Sequence, residues 1–328
     1  MQYRTLGKTG FSVSEVSLGT WQAGGGWGGR FDAETAERTM SAAVERGVNF
    51  IDTADVYSEG ASEAAVGRFV RSRSERIYVA TKCGRKISPH TAEGYTPERL
   101  RGFVEDSLKN SGLETLDLIQ LHCPPTAVYY RPEIFEAFDR MKDEGKILNL
   151  GVSVERVEEA IKAIEYPNVT TVQIIFNMFR HRPSELFFKM AEQKNIGVIV
   201  RVPLASGLLT GRLTRSTTFP PQDHRTFNRE GAAFDKGETF SGVDYETGLE
   251  AVEALREYFP DTERLPLYAL RWVLMFPEVS TVIPGASRPE HAEKNAEASD
   301  LPPLTASQMD GVRRVYDRFI KNPVHQLW

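Results

Sequence analysis

The sequence predicts a parallel (β/α)8 barrel (the TIM-barrel class) with an N-terminal β-hairpin and extra helices before the eighth strand and at the C-terminus. Three observations predict it. Eight short apolar runs of strand length follow a hairpin signal. Most of these runs are separated by stretches of helical spacing, and alternating strand and helix implies a parallel sheet. Eight such units in 328 residues favour one closed barrel, spanning residues 1–328, over an open sheet.

The elements follow in order. Residues 3–16 carry Gly7-Lys8-Thr9-Gly10 between two apolar segments and read as the hairpin. The strand runs are 13–21, 48–52, 77–82, 116–122, 147–153, 169–176, 197–204 and 279–284. Asp32 is a cap for a helix over 33–46, which Gly47 stops. Ser62 is a cap for a helix to about residue 71. Thr96-Pro97 opens a helix to about residue 110, with proline at its first position. Further helices are expected at 132–143, 154–164, 184–193, 245–258, 265–275, 289–298 and 305–320. Residues 208–240 are rich in Thr, Pro, Arg and Gly without a sustained period. A segment this long inside a compact domain is a lid, a binding loop or disordered.

Composition excludes several classes. The net charge is −5 and no run of Lys or Arg forms a patch, which argues against nucleic acid as a partner. No apolar run approaches the ~18 residues of a membrane span. The N-terminus lacks a basic head followed by an apolar segment. Two cysteines, Cys83 and Cys123, do not make a disulfide framework. A reducing, cytoplasmic setting is expected.

In a barrel of this kind, polar residues at the carboxyl ends of strands point into the mouth where ligands sit. The second strand delivers Asp52, with Tyr57 on its loop, the third delivers Lys82 and the fourth His122. These types belong together chemically. A free phenol, with pKa ~10, is a poor proton donor at neutral pH, and a nearby ammonium lowers that value. A buried lysine needs a carboxylate, which Asp52 supplies. An imidazole orients a carbonyl or shares the proton transfer. Taken singly, each has a plain explanation: a cap for Asp52, packing for Tyr57, a satisfied core histidine for His122. Lys82 on an apolar strand is hardest to explain that way, because buried lysines are rare unless paired.

With these residues in place the chain resembles an aldo-keto reductase over almost its whole length. The matching motifs are Asp52-Thr53-Ala54-Asp55-Val56-Tyr57, Thr81-Lys82-Cys83, Leu121-His122-Cys123 and Ile283-Pro284-Gly285-Ala286-Ser287-Arg288. The resemblance implies a catalytic tetrad of Tyr57, Lys82, Asp52 and His122. It implies NADPH or NADP as cofactor, with NAD less suited, and a small carbonyl or alcohol as substrate in a monomer or homo-oligomer. Cofactor contacts carry over to Gly19, Thr20 and Trp21 at the first strand, Asp52, Ser153, Gln173, and Arg201, Pro203 and Leu204 at the seventh. Ser206, Gly207, Leu208 and Arg212 match the pyrophosphate wrap, and Gly285, Ser287, Arg288, His291 and Asn295 the adenosine-phosphate clamp. Three departures stand out. Val154 replaces the asparagine that usually follows the serine at 153. Arg201 replaces the aromatic ring that usually stacks on the nicotinamide, and its charge should disfavour the oxidised form. Lys294 replaces an acid and leans toward NADP.

Rival readings are weaker. Gly24-Gly25-Gly26-Trp27-Gly28-Gly29 fits a dinucleotide fingerprint with Asp52 at a suitable distance, but leaves Lys82 and His122 without a role. It reads instead as the first barrel loop, with Trp21 and Trp27 toward substrate. A zinc site at Asp52, Cys83, His122 and Cys123 lacks ligand spacing, so no metal is expected. A sugar isomerase on this fold would need more carboxylates at the rim. The reading from a different class is a nucleotide-sensing regulatory subunit of an ion channel. Such a chain is expected to carry an extra N-terminal segment, and here the hairpin begins at once. Residues 127–130 and the 208–240 segment are expected around the substrate pocket, and residues 322–328 either close that pocket or make a subunit contact.

Overall fold

The computed structural model describes residues 1–25 and 31–328. The expected position of Trp27, with Gly26, Gly28 and Gly29, lies outside the described residues. Strands β1 (Tyr3–Thr5) and β2 (Ser12–Ser14) form the antiparallel hairpin, with Arg4 opposite Val13. Eight strands follow: β3 (Leu18–Gly19), β4 (Phe50–Asp52), β5 (Tyr78–Cys83), β6 (Leu116–His122), β7 (Ile147–Ser153), β8 (Val169–Ile175), β9 (Gly197–Arg201) and β10 (Val279–Val282). They pair in parallel in sequence order from β3 to β10. Parallel bridges Val16–Val282 and Gly19–Gly285 join the two outer strands. The N–H groups of Ser17 and Gly19 donate to the carbonyls of Val282 and Pro284 at 2.8 and 3.1 Å. These bonds close the sheet into the expected barrel.

The helices are α1 (Ala33–Glu45), α2 (Ala61–Arg71), α3 (Pro97–Ser111), α4 (Pro132–Asp143), α5 (Val157–Ala163), α6 (Phe187–Gln193), α7 (His224–Phe227), α8 (Tyr245–Leu255), α9 (Leu265–Leu274), α10 (Pro289–Ala296), α11 (Ala306–Val315) and α12 (Lys321–Val324). Asp32 caps α1 by accepting from the N–H groups of Glu34 and Thr35, and Thr96 caps α3 by accepting from Arg99. Ser62 does not cap α2. That helix begins after Gly60 in the left-handed conformation, and the Ser62 hydroxyl bonds to Thr20 and Thr53 inside the barrel, both at 2.9 Å. Tertiary hydrogen bonding has overridden the local capping preference. The expected 184–193 helix is shortened to α6, behind a separate turn at Arg182–Ser184.

The hairpin plugs the amino-terminal end of the barrel. Leu6 and Val13 pack with Phe50, Ala80, Leu118, Ile199 and Ile283 in the interior. Gly7 turns there with φ +49°, and a Cβ would stand 2.1 Å from the Gly197 nitrogen. One end is therefore sealed by apolar packing, which leaves the carboxyl ends of the strands to build a site. Among the described residues no helix is long and apolar enough to cross a membrane.

Helices α2 and α3 meet at Gly67, where an added Cβ would lie 1.9 Å from the Ser111 carbonyl oxygen. Alanine suits a helix better than glycine by about 1 kcal/mol, but a backbone collision of this kind costs about 1–3 kcal/mol. Gly67→Ala should therefore lower the thermal unfolding midpoint. A raised midpoint would show that the two helices separate freely.

Candidate active site

Four polar side chains from three neighbouring strand ends meet at the open end of the barrel. Asp52 is the last residue of β4, Lys82 lies near the end of β5, and His122 ends β6. Tyr57 stands on the turn Tyr57–Gly60, where Ser58 and Glu59 are both left-handed. Lys82 Nζ contacts Asp52 Oδ1 and donates to the Thr53 carbonyl at 2.8 Å and to the Tyr57 hydroxyl at 3.1 Å. Asp52 Oδ2 accepts from the amides of Gln120 at 3.0 Å and Gln173 at 2.8 Å. Gln120 was not singled out from sequence; its place on β6 two residues before His122 was the available signal. The rings of Tyr57 and His122 lie edge to face at 6.1 Å, and Trp21 stacks on Tyr57 at 6.2 Å.

The charges of this group follow from burial and pairing. Burial alone favours loss of the Lys82 proton, but Asp52 and the Tyr57 phenol outweigh it and hold Lys82 above the ordinary ammonium range. Burial pushes the Tyr57 phenol up, Lys82 pulls it down and Asp52 pushes it up again, for a net rise. The lowered phenol expected from sequence is thus reversed, because desolvation and the Asp52 charge exceed the lysine's effect. The phenol keeps its proton and can donate it. Burial, with Arg85, Lys82 and Arg201 nearby, holds His122 well below the ordinary histidine range, so its imidazole is neutral. Among the described residues its buried Nδ1 has no hydrogen-bond partner.

Two cavities open beside these groups. The first, about 430 Å3, is lined by Gly19, Thr20, Trp21, Asp52, Tyr57, His122, Gln173, Arg201, Pro203, Leu204, Ser206, Gly207, Arg212, Gly285, Ser287, His291, Lys294 and Asn295. These are most of the positions expected to hold a dinucleotide. Three others stand apart. Ser153 is buried with its hydroxyl 3.5 Å from Cys123 Sγ, Leu208 packs in the core, and Arg288 is exposed and paired with Glu290 at 3.7 Å. Lys294 lines the wall on that side instead.

The second cavity, about 670 Å3, shares Trp21, Tyr57, His122 and Glu238 with the first and adds Phe31, Glu59, Arg85, Phe227 and Phe234. The 208–240 segment thus lines both cavities. Residues 127–130 line neither: Val128 and Tyr129 are core residues and Tyr130 is exposed.

Arg201 does not carry the uncompensated charge expected from sequence. Its guanidinium donates to Glu155 at 2.9 Å and Glu238 at 3.2 Å, and to the Val154 carbonyl at 3.1 Å. Glu238 also accepts from Arg85 at 2.8 Å. Despite burial, Arg85 and Arg201 hold Glu238 below the usual carboxylate range, while burial and Glu238 push Glu155 above it. Cys123, Glu155 and Glu238 lie close enough together to hold a metal ion, but Arg201 already provides the cation between them. No sequence periodicity signalled this cluster, because Glu238 comes from the irregular segment.

The chain matches the Aldo/keto reductase family model over residues 15–317. It is 29% identical to the uncharacterized oxidoreductase YqkF of Bacillus subtilis (strain 168), covering 95% of this chain and 96% of that protein. It is 28% identical to the NADH-specific methylglyoxal reductase of Escherichia coli (strain K12), covering 90% and 93%. Among solved structures, the glycerol dehydrogenase AKR11B4 from Gluconobacter oxydans aligns with a TM-score of 0.79 at 30% identity, covering 100% and 98%.

Asp55 gives a test of the electrostatics near the site. It is buried, and among the described residues neither carboxylate oxygen has a hydrogen-bond partner. Burial raises its pKa from 3.8 to about 7, against the pull of Lys86. Between those values the folded chain binds more protons than the unfolded one, so stability falls as pH rises. Asp55→Asn cannot ionise and should flatten the fall of the unfolding midpoint between about pH 5 and pH 8. A slope equal to that of the native protein would mean Asp55 is already ionised at the lower pH.

Proposed function

The chain belongs to the aldo/keto reductase family, and from that premise we propose that it reduces an aldehyde or ketone to an alcohol with NADPH, using Tyr57 as general acid. The observation that carries this reading is the hydrogen-bonded chain Asp52–Lys82–Tyr57, whose phenol faces a cavity shared with His122.

The residues of the first cavity fit a dinucleotide phosphate. Gly207 and Gly285 leave backbone open to close approach, and Arg212 and Lys294 supply positive charge at the cavity wall. Gln173 spends its amide N–H groups on Asp52 and Gln120, which leaves its carbonyl oxygen to accept from a carboxamide. Lys294 and Arg212 together favour a ligand with an extra phosphate, so NADPH suits the site better than NADH. When bound, the nicotinamide nucleotide supplies a hydride to the carbonyl carbon.

The rest is done by the chain. Neutral His122 donates to the substrate oxygen and orients it, Tyr57 gives that oxygen its proton, and Lys82 stabilises the phenolate left behind. Asp52 keeps Lys82 charged inside the barrel. The second cavity combines aromatic walls with Arg85, Glu59 and Glu238, which suits a small or sugar-like carbonyl bearing polar groups. The names of two relatives, a methylglyoxal reductase and a glycerol dehydrogenase, point to small oxygenated molecules.

NADPH oxidation measured against a panel of aldehydes and ketones tests the reading. Saturable turnover is expected, and tight NADPH binding with no turnover on any carbonyl would favour the regulatory-subunit alternative. Tyr57→Phe should lose on the order of 10²-fold or more in turnover while binding NADPH as the native protein does. Near-native turnover would remove Tyr57 from the acid role.

A further inference from the structure

Trp328 lines neither cavity, yet its indole is 3% exposed and wedged behind the turn that presents Glu238. Its Nε1 donates to Asp235 Oδ1 at 2.8 Å, and the same oxygen accepts the Gly237 N–H at 2.7 Å. The wedge is tight: a Cβ at Gly237 or Gly242 would stand 2.7 or 2.5 Å from the indole. Beneath the ring lies Arg180, one of the largest fully buried side chains, with Cζ 4.2 Å from the ring centroid. Arg180 makes no ion pair among the described residues. It donates instead to the carbonyls of Gly237 at 3.2 Å and Ser241 at 2.9 Å. Burial holds this guanidinium below the ordinary arginine range, although Glu155 and Asp235 favour its charge from beyond ion-pair distance.

From the other side Ser206 donates to the Glu238 carbonyl at 3.2 Å and accepts from the Phe240 N–H at 3.0 Å. Asn177 ties Ser241 to the Val202 carbonyl at 2.7 and 2.9 Å. Val202, Phe240 and Ser241 all stand at positive φ, an arrangement that persists only where surrounding contacts over-determine it. The turn at 235–242 is thus clamped between Trp328 and Arg180 behind and Ser206 in front. It delivers one side chain, Glu238, to the wall common to both cavities, between Arg85 and Arg201.

We infer that Trp328 and Arg180 are positioning residues for the substrate pocket, acting through Glu238 to fix Arg85 and Arg201 beside His122. This rests on the reductase reading for its kinetic consequence, though not for the geometry. Asp52 and Lys82 stand on strand ends and Tyr57 on the turn after β4, and among the described residues none of the three hydrogen-bonds to residues 235–242, so loosening the turn should spoil carbonyl and nucleotide binding more than the chemical step.

The test compares native protein, Trp328→Ala, Trp328→Phe, Glu238→Gln and the Trp328→Ala/Glu238→Gln double variant. Three quantities are read: NADPH Kd by fluorescence titration, KM and kcat for an aldehyde the native protein reduces, and the unfolding midpoint. Trp328→Ala should raise the carbonyl KM about tenfold or more, weaken NADPH binding, and change kcat less than about threefold. Trp328→Phe, which keeps the ring over Arg180, should recover part of the loss. In the Glu238→Gln background Trp328→Ala should add little, since both act on one wall. Additive effects, or a lower unfolding midpoint with native KM and Kd, would overturn the inference by making Trp328 a packing residue only. If the native protein reduces no carbonyl, the reductase reading fails, and the non-additivity of NADPH Kd still decides the positioning role.

Discussion

A lysine ammonium held inside an apolar barrel is the constraint on which the rest of the site depends. Lys82 is 1% exposed, and water cannot solvate its charge. Asp52, the Thr53 carbonyl and the Tyr57 hydroxyl take the place of water. Asp52 is in turn held by two glutamine amides from β6 and β8. Removing one partner of such a pair costs about 3–5 kcal/mol, so the pair is as much a folding condition as a chemical device. The strand register that brings the four side chains together is fixed by the same closed ladder that seals the barrel.

Around this centre the protein builds a second layer from its irregular segment. Residues after β9 carry several non-glycine positions at positive φ, held by side-chain hydrogen bonds instead of a ladder. Their net product is Glu238 between two arginines. That cluster explains why Arg201, which takes the place of an aromatic ring, does not act as an isolated charge: two carboxylates meet it. The site is therefore divided between residues at or just after the strand ends, to which the proposal gives the proton transfer, and residues of the irregular segment, which line the proposed substrate cavity.

The barrel, and the meeting of Asp52, Tyr57, Lys82 and His122 at its mouth, were legible in the sequence because both depend on short-range signals. Apolar runs marked the strands, and polar residues at their ends marked the rim. Asp32 and Thr96 behaved as caps because nothing in the tertiary structure competed for them, whereas Ser62 was taken by Thr20 and Thr53. The phenol's raised pKa was not legible, since it turns on how burial and Asp52 weigh against Lys82. Glu238, Arg85 and Trp328 were not singled out because their roles come from contacts across 153 and 93 residues of chain, which no local pattern encodes. Arg288 matched by motif but faces solvent, where its neighbour Glu290 meets it.

The protonation state of Lys82 decides whether Asp52 holds a charge inside the barrel. With 15N-labelled lysine, its Nζ resonance can be assigned by its loss in Lys82→Met and followed from about pH 7 to pH 11, across the ordinary lysine value of ~10.4. An ammonium signal that persists to the top of that range is expected, because Asp52 and the Tyr57 phenol hold Lys82 above the ordinary ammonium range despite burial. A neutral amine at pH 7 would contradict it, because the Asp52 carboxylate would then fail to hold a charge beside the Tyr57 phenol.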